Sequence, residues 1–181
     1  MKNKDVEQVL FSEAKIRKSL KEAGEKISSD YRDKNLLIVC VLKGAVMATA
    51  ELLKNITVPC SIDFIQASSY GEKTSSSGKV VIKKDIGQDL SGCDLLICED
   101  ILDSGLTLSK LCDMLSRRNP RSIKIFTMLD KPEGRKVDLK ADYFCFKAPD
   151  AFLVGYGLDY AEKYRNLPYI GILKKSVYEN K

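Results

Sequence analysis

Two adjacent acids, Glu99-Asp100, close an apolar run, and two apolar residues separate them from Asp103-Ser104-Gly105-Leu106-Thr107. The spacing gathers three carboxylates, two hydroxyls and a small-residue turn into one short segment. Leu108, Leu111, Cys112 and Leu115 then recur at helical spacing, so the turn stands at a helix N-terminus. Such a turn cradles a phosphate through backbone N–H groups and the positive helix end, about half an elementary charge, with no basic residue needed. Glu99 and Asp100 leave opposite sides of the strand end and only accept hydrogen bonds when ionised. They suit sugar hydroxyls, or a hard cation that travels with a phosphate. Helix capping by Asp103 or Ser104 is the plainer alternative, but a cap needs only one such residue. The chain contains no His. That excludes Ser-His-Asp triads, Cys-His nucleophiles and His-ligated zinc, and leaves acid–base work to Asp, Glu, Lys, Tyr or Cys.

The surrounding pattern predicts the elements that hold this segment. Apolar runs of strand length occur at 36–42, 62–67, 79–83, 94–98, 123–129, 143–146 and 152–154. Helical patterns occupy 45–53 and 108–115, and Val9, Ile16, Leu20, Ala23 and Ile27 predict a first helix over 6–27. Continuous apolar strands alternating with amphipathic helices imply an α/β fold, a mostly parallel sheet covered on both faces. Ligands of such sheets bind beyond the carboxyl ends of the strands, where Glu99 to Thr107 lies. The polar stretch 68–78, with Gly71 and Gly78, reads either as a hairpin connection or as a lid over the site. It is not a nucleotide P-loop, since Lys79 is followed by Val80 and the glycines are wrongly spaced. Gly155-Tyr156-Gly157 also fails as a dinucleotide fingerprint, because Tyr160 stands where the third glycine belongs.

A length of 181 residues suits one domain over 1–181, able to bury roughly 70% of its unfolded surface without disulfides or a structural metal. Thirty Lys and Arg against 25 Asp and Glu give a net charge of +5, interspersed as on a solvated surface. That balance admits a phosphorylated ligand or RNA. The start, MKNKDVEQVLFSEAKI, has no apolar signal segment, and no run approaches the ~18 apolar residues of a membrane span. A cytoplasmic location is expected. The six cysteines form no C-x-x-C pair, and Cys40, Cys98 and Cys145 lie in apolar runs, so buried reduced thiols are expected.

The segment from Leu95 to Thr107 resembles the phosphoribosyl-diphosphate motif of type I phosphoribosyltransferases: two apolar residues, two acids, two apolar residues, then Asp-[Ser/Thr]-Gly-x-Thr. Leu42-Lys43-Gly44, Ser68-Ser69-Tyr70-Gly71, Asp130-Lys131-Pro132 and the block from Phe152 through Asp159 to Ile170 are similar to hypoxanthine(-guanine) phosphoribosyltransferases, in the expected order over nearly the whole chain. The resemblance implies a core over about 31–164 and a small hood from 1–30 and 165–181. The activity it implies is transfer of 5-phosphoribosyl from phosphoribosyl diphosphate to N9 of hypoxanthine or guanine. The products are IMP or GMP and diphosphate, with Mg²⁺ as cofactor.

By the same resemblance Asp103 faces purine N7 as the acid–base residue, and Asp103, Ser104, Gly105, Leu106 and Thr107 hold the 5′-phosphate. Glu99 and Asp100 take the ribose hydroxyls. Leu42, Lys43, Gly44 and Arg165 serve the diphosphate, and the Leu42–Lys43 peptide is cis. Ser69 and Tyr70 open the lid. Lys131 donates to purine O6, Phe152 stacks on the base, Leu153 meets its edge and Leu158 lines the pocket. Metal contacts fall to Glu99, Asp100 and Asp159. A homodimer or homotetramer follows the family's habit, and neither a membrane nor a nucleic acid is among the implied partners. The alternative reading is an RNA-binding regulator on the same fold. It would leave Lys131 and the Phe152–Asp159 block without a purpose.

Overall fold

The structure is a computed structural model that describes residues 2–69 and 80–179. At its centre is β2 (Leu36–Val41), whose six residues are all buried. It pairs in parallel with β3 (Cys60–Ser69) on one side and β5 (Asp94–Leu102) on the other. Beyond β5 lie β6 (Ser122–Asp130) and β7 (Tyr143–Lys147), both parallel to it, while β4 (Val80–Lys84) runs antiparallel on the far edge of β3. The six-stranded order is β4-β3-β2-β5-β6-β7. The mostly parallel sheet expected from the apolar runs is the sheet observed.

Why those runs are apolar throughout follows from the pleat. Leu36, Ile38, Leu96 and Cys98 join one core, shared with Ile16, Leu20 and Ile27 of α1 (Glu13–Asp30) and with Ala48 and Leu52 of α2 (Val46–Leu53). Leu37, Val39, Leu95 and Ile97 point the other way, into a core with Leu108, Leu111 and Leu115 of α3 (Leu106–Ser116). With both faces covered, β2 and the stretch Leu95–Cys98 of β5 are apolar at both parities until β5 leaves the core. Glu99 and Asp100 mark that exit.

The N-terminal expectation is corrected. Residues 6–27 are not one helix: β1 (Val6–Phe11) comes first, and α1 starts after Ser12. Ser12 has extended backbone and its hydroxyl accepts from Lys15 N at 3.4 Å, so it caps α1. Ile16, Leu20, Ala23 and Ile27 do share a helical face, but Val9 belongs to the strand. β1 pairs antiparallel with β9 (Ile170–Leu173), which pairs with β8 (Leu153–Val154) in a second, three-stranded sheet. A short helix α4 (Lys175–Tyr178) follows. The second sheet thus joins β1 to the C-terminal strands, while α1 packs against α2 and β7. Cys60 also departs from expectation: it is exposed, whereas Cys40, Cys93 and Cys98 are buried and Cys112 and Cys145 partly so. Among the described residues no helix is long and apolar enough to cross a membrane.

Candidate active site

The alternation that builds the core also separates the two acids of β5. Glu99 lines a cavity of about 130 Å³ with Asp103, Ser104, Gly105 and Thr107. Asp100 lines a neighbouring cavity of about 330 Å³ with Asp103, Lys131, Phe152, Leu153, Leu158 and Asp159. Asp103 alone of the acids borders both. Burial and the adjacent Asp100 carboxylate push Glu99 well above the usual carboxylate range. Burial also raises Asp100, against hydrogen bonds and the charge of Arg165 that favour its ionised form. Their environment therefore favours donors or a cation opposite them.

The smaller cavity meets the start of α3. That helix begins after Gly105 with no side-chain cap, so neither Asp103 nor Ser104 is spent on ordinary capping. The first-turn N–H groups stay available to an anion. Ser104 and Thr107 are half-buried beside them, and Leu106 is exposed.

Arg135, which sequence reading missed, fastens this turn. Its guanidinium donates to Asp103 O at 2.9 Å, to Leu102 O at 3.0 Å, to Leu139 O, and to Asp130 Oδ1 at 2.6 Å. Lys131 N and Lys136 N donate to Leu102 O and Ser104 O, each at 3.0 Å, so the chain after β6 is laced to the chain after β5. Arg135→Met is expected to cost about 2–3 kcal/mol of stability, because it strands the Asp130 carboxylate and the Asp103 and Leu139 carbonyls, while Leu102 O keeps Lys131 N. A lowered urea midpoint would show it. An unchanged midpoint would mean that Arg135 is not the fastening.

In the larger cavity, Lys131 Nζ lies 2.7 Å from Asp150 Oδ1 and 3.9 Å from Asp103 Oδ2. The hydrogen bond to Asp150 raises the Lys131 pKa, so its tip is a donor-only ammonium. Asp150 carried no signal in the sequence. Phe152 is partly exposed, stacked on Tyr178 at 5.0 Å between ring centroids and met edge-on by Tyr160 at 5.5 Å. Leu153 and Leu158 are buried beside it.

The Leu42–Lys43 peptide is cis. Gly44, next in the chain, is where three segments crowd together. A Cβ on Gly44 would overlap the Asp100 carboxylate, and one on Gly157 (φ +102°) would overlap the Gly44 carbonyl. Arg165 lies against the same place: it donates to Gly157 O at 2.8 Å and pairs with Asp159 Oδ1 at 2.8 Å. Lys43 and Arg165 both reach Glu162, a residue sequence reading passed over although it stands inside the closing block. Ser69 ends β3, paired with Val80, while Tyr70 and the rest of the supposed lid lie outside the described residues.

The three acids assigned to metal do not converge. Among the described residues no three His, Cys, Asp or Glu side chains lie close enough to hold one ion. Asp100 and Asp159 do share a cavity, and Mg²⁺ needs only one or two protein carboxylates when substrate phosphates and water complete its shell. The acids present fit a cation of that kind.

Comparison with known proteins agrees with this arrangement. A family model described as a phosphoribosyl transferase domain matches residues 6–161. The hypoxanthine-guanine phosphoribosyltransferase of Bacillus subtilis (strain 168) is 54% identical over 180 residues, 99% of this chain and 100% of that protein. A Streptococcus thermophilus protein of the same name is 51% identical over 178 residues, 98% and 99% of the two chains. The crystal structure of a hypoxanthine phosphoribosyltransferase from Staphylococcus aureus superposes with a TM-score of 0.94 at 48% identity, covering 97% of this chain and 96% of that one. The Trypanosoma cruzi hypoxanthine phosphoribosyl transferase gives 0.94 at 40% identity, covering 99% and 97%. Family model, near-complete relatives and superposed structures coincide on one answer, and the chain belongs to the phosphoribosyltransferase family.

Proposed function

We propose that this chain is a purine-salvage enzyme that transfers 5-phosphoribosyl from phosphoribosyl diphosphate to N9 of hypoxanthine or guanine, giving IMP or GMP and diphosphate. The observation that carries the proposal is the position of Asp103, bordering both the turn at the start of α3 and the cavity of Lys131 and Phe152. A residue acting on a base joined to a phosphorylated sugar has to stand between those two places. The names of the relatives support the same activity, and the RNA-binding alternative finds no support among them.

In this reading the 5′-phosphate rests in the turn Asp103–Thr107, held by N–H groups and hydroxyls. Glu99 and Asp100 accept the ribose hydroxyls. Phe152 and Leu158 enclose the base, Leu153 meets its edge, and the Lys131 ammonium donates to O6, which adenine lacks. N9 bonds to C1 of the ribose as the C1–oxygen bond to diphosphate breaks, and a proton at N7 passes to Asp103. Lys43 and Arg165 receive the departing charge beside the Leu42 and Gly44 backbone. Ser69 and Tyr70 belong to the segment that would exclude water from the oxocarbenium-like ribose. Asp100 and Asp159, with Glu99 close by, would hold Mg²⁺, which when bound neutralises phosphate oxygens. Six unpaired cysteines accord with a cytoplasmic location. Val46, Met47 and Ile62 leave large apolar side chains on the surface that suit a homodimer or homotetramer.

The test is a spectrophotometric assay of hypoxanthine, guanine, xanthine and adenine with phosphoribosyl diphosphate and Mg²⁺. Turnover of hypoxanthine or guanine but not adenine is expected, abolished by EDTA and restored by Mg²⁺. No turnover of either 6-oxopurine would overturn the proposal, and full activity in chelator would overturn the metal roles of Glu99, Asp100 and Asp159.

A further inference from the structure

The turn after Asp159 holds an anion where the proposed reaction needs one. One carboxylate oxygen of Glu162, Oε2, lies 3.0 Å from Lys43 Nζ and 3.4 Å from Arg165 Nη2. Those are the two side-chain cations that the proposed function gives to diphosphate, and the inference rests on that reading. The turn that presents Glu162 is unusual. Ala161, Glu162 and Tyr164 all lie in the left-handed region, with φ of +51°, +63° and +75°, where residues with a Cβ are rarely found. Glu162 N donates to Asp159 Oδ2 at 2.9 Å, which fixes the turn to the acid that also grips Arg165. The Nε of Arg165 is buried and has no hydrogen-bond partner among the described residues, so this guanidinium is not fully satisfied by what surrounds it.

We propose that Glu162 is a built-in placeholder for diphosphate: its carboxylate bridges Lys43 and Arg165 in the free enzyme and must leave before the diphosphate group can take both cations. The bridge is suited to being broken. The side chains of Lys43 and Glu162 are 55% and 65% exposed, and exposed ion pairs are weak. The carboxylate keeps two like charges poised near each other while the site is empty, and it returns to help displace the product diphosphate. Glu162 thereby sets affinity for the diphosphate group without touching the purine end.

The experiment is calorimetric titration of the full chain with sodium diphosphate in the presence of Mg²⁺, together with KM for both substrates, for wild type, Glu162→Gln and Glu162→Asp. Glu162→Gln is expected to bind diphosphate roughly threefold to tenfold tighter and to lower KM for phosphoribosyl diphosphate in parallel, with KM for hypoxanthine unchanged. Glu162→Asp keeps the charge but is one methylene too short to bridge both cations, so it should also bind tighter than wild type. Unchanged or weaker binding by the Gln variant would overturn the placeholder and leave Glu162 as a prop for Arg165. Tighter binding by Gln with Asp identical to wild type would also overturn it, since net charge alone would then account for the effect. Wild type that turns over hypoxanthine separates these outcomes from failure of the proposed function. Wild type that neither turns over nor binds diphosphate would remove both readings together.

Discussion

Asp103→Asn is expected to lower kcat for hypoxanthine by about 10²-fold or more while leaving IMP binding within a few fold. The amide keeps the shape of the carboxylate and loses its basicity. Shape matters at this position, because the Asp103 side chain lies so close to Gly134 that a Cβ there would overlap it. The backbone is held independently, by Arg135 on Asp103 O, so the turn has no reason to move when the side chain changes. Turnover of hypoxanthine with IMP affinity measured alongside gives the split. An undiminished kcat would remove Asp103 from the proton transfer. Loss of IMP affinity comparable to the loss of kcat would make it a phosphate-loop residue and no more.

Lys131→Gln is expected to reduce kcat/KM for hypoxanthine by roughly a hundredfold and to relax discrimination against adenine, since an unmade buried hydrogen bond to a charged group costs about 2–3 kcal/mol. The wild-type ammonium can only donate, and the amino group of adenine would face it with no acceptor between them. A Gln amide can turn its oxygen toward that amino group. The side chain of Lys131 is only 13% exposed and is aimed by Asp150 at 2.7 Å. Lys131→Arg should change the preference less, because guanidinium is also donor-only, though its fork does not match the single bond to Asp150. The quantities to measure are kcat/KM for hypoxanthine and adenine in all three proteins. A Gln variant with the wild-type ratio would place the discrimination elsewhere in the cavity.

The parts of this fold legible in the sequence are those where one physical rule dominates. Residues 36–41 and 95–98 are apolar at both parities because both faces of the sheet are covered, and that pattern has few other causes. The acids at 99 and 100 and the turn at 103–107 stand out for the same reason: polar residues begin where burial ends. Residues 6–11 defeat the periodicity rule because their four apolar residues, Val6, Val9, Leu10 and Phe11, have no clean period, and the neighbouring α1 does. Bulges between Val6 and Gln8 and between Val9 and Phe11 break what alternation they had. Arg135 and Asp150 were invisible for a different reason. Each acts on a residue far from it in kind, a carbonyl or an ammonium, and nothing in the local spacing encodes that partner. Glu162 was visible but had no assigned role, because Lys43, which it meets, is 119 residues away.

The pairing of β1 with β9 also bears on how the protein is made. Val6 is opposite Leu173 and Phe11 opposite Ile170. Every strand of the large sheet has been synthesised before residue 170 is added, so that sheet and the turn on α3 have all their parts before the smaller sheet does. In the smaller sheet β1, synthesised first, waits for almost the entire chain before its partner exists. During that interval its Val6, fully buried in the finished protein, has no cover. A nascent chain arrested between residues 147 and 170 would own a phosphate turn without a closed base cavity, and a dangling strand that a chaperone or another chain could seize.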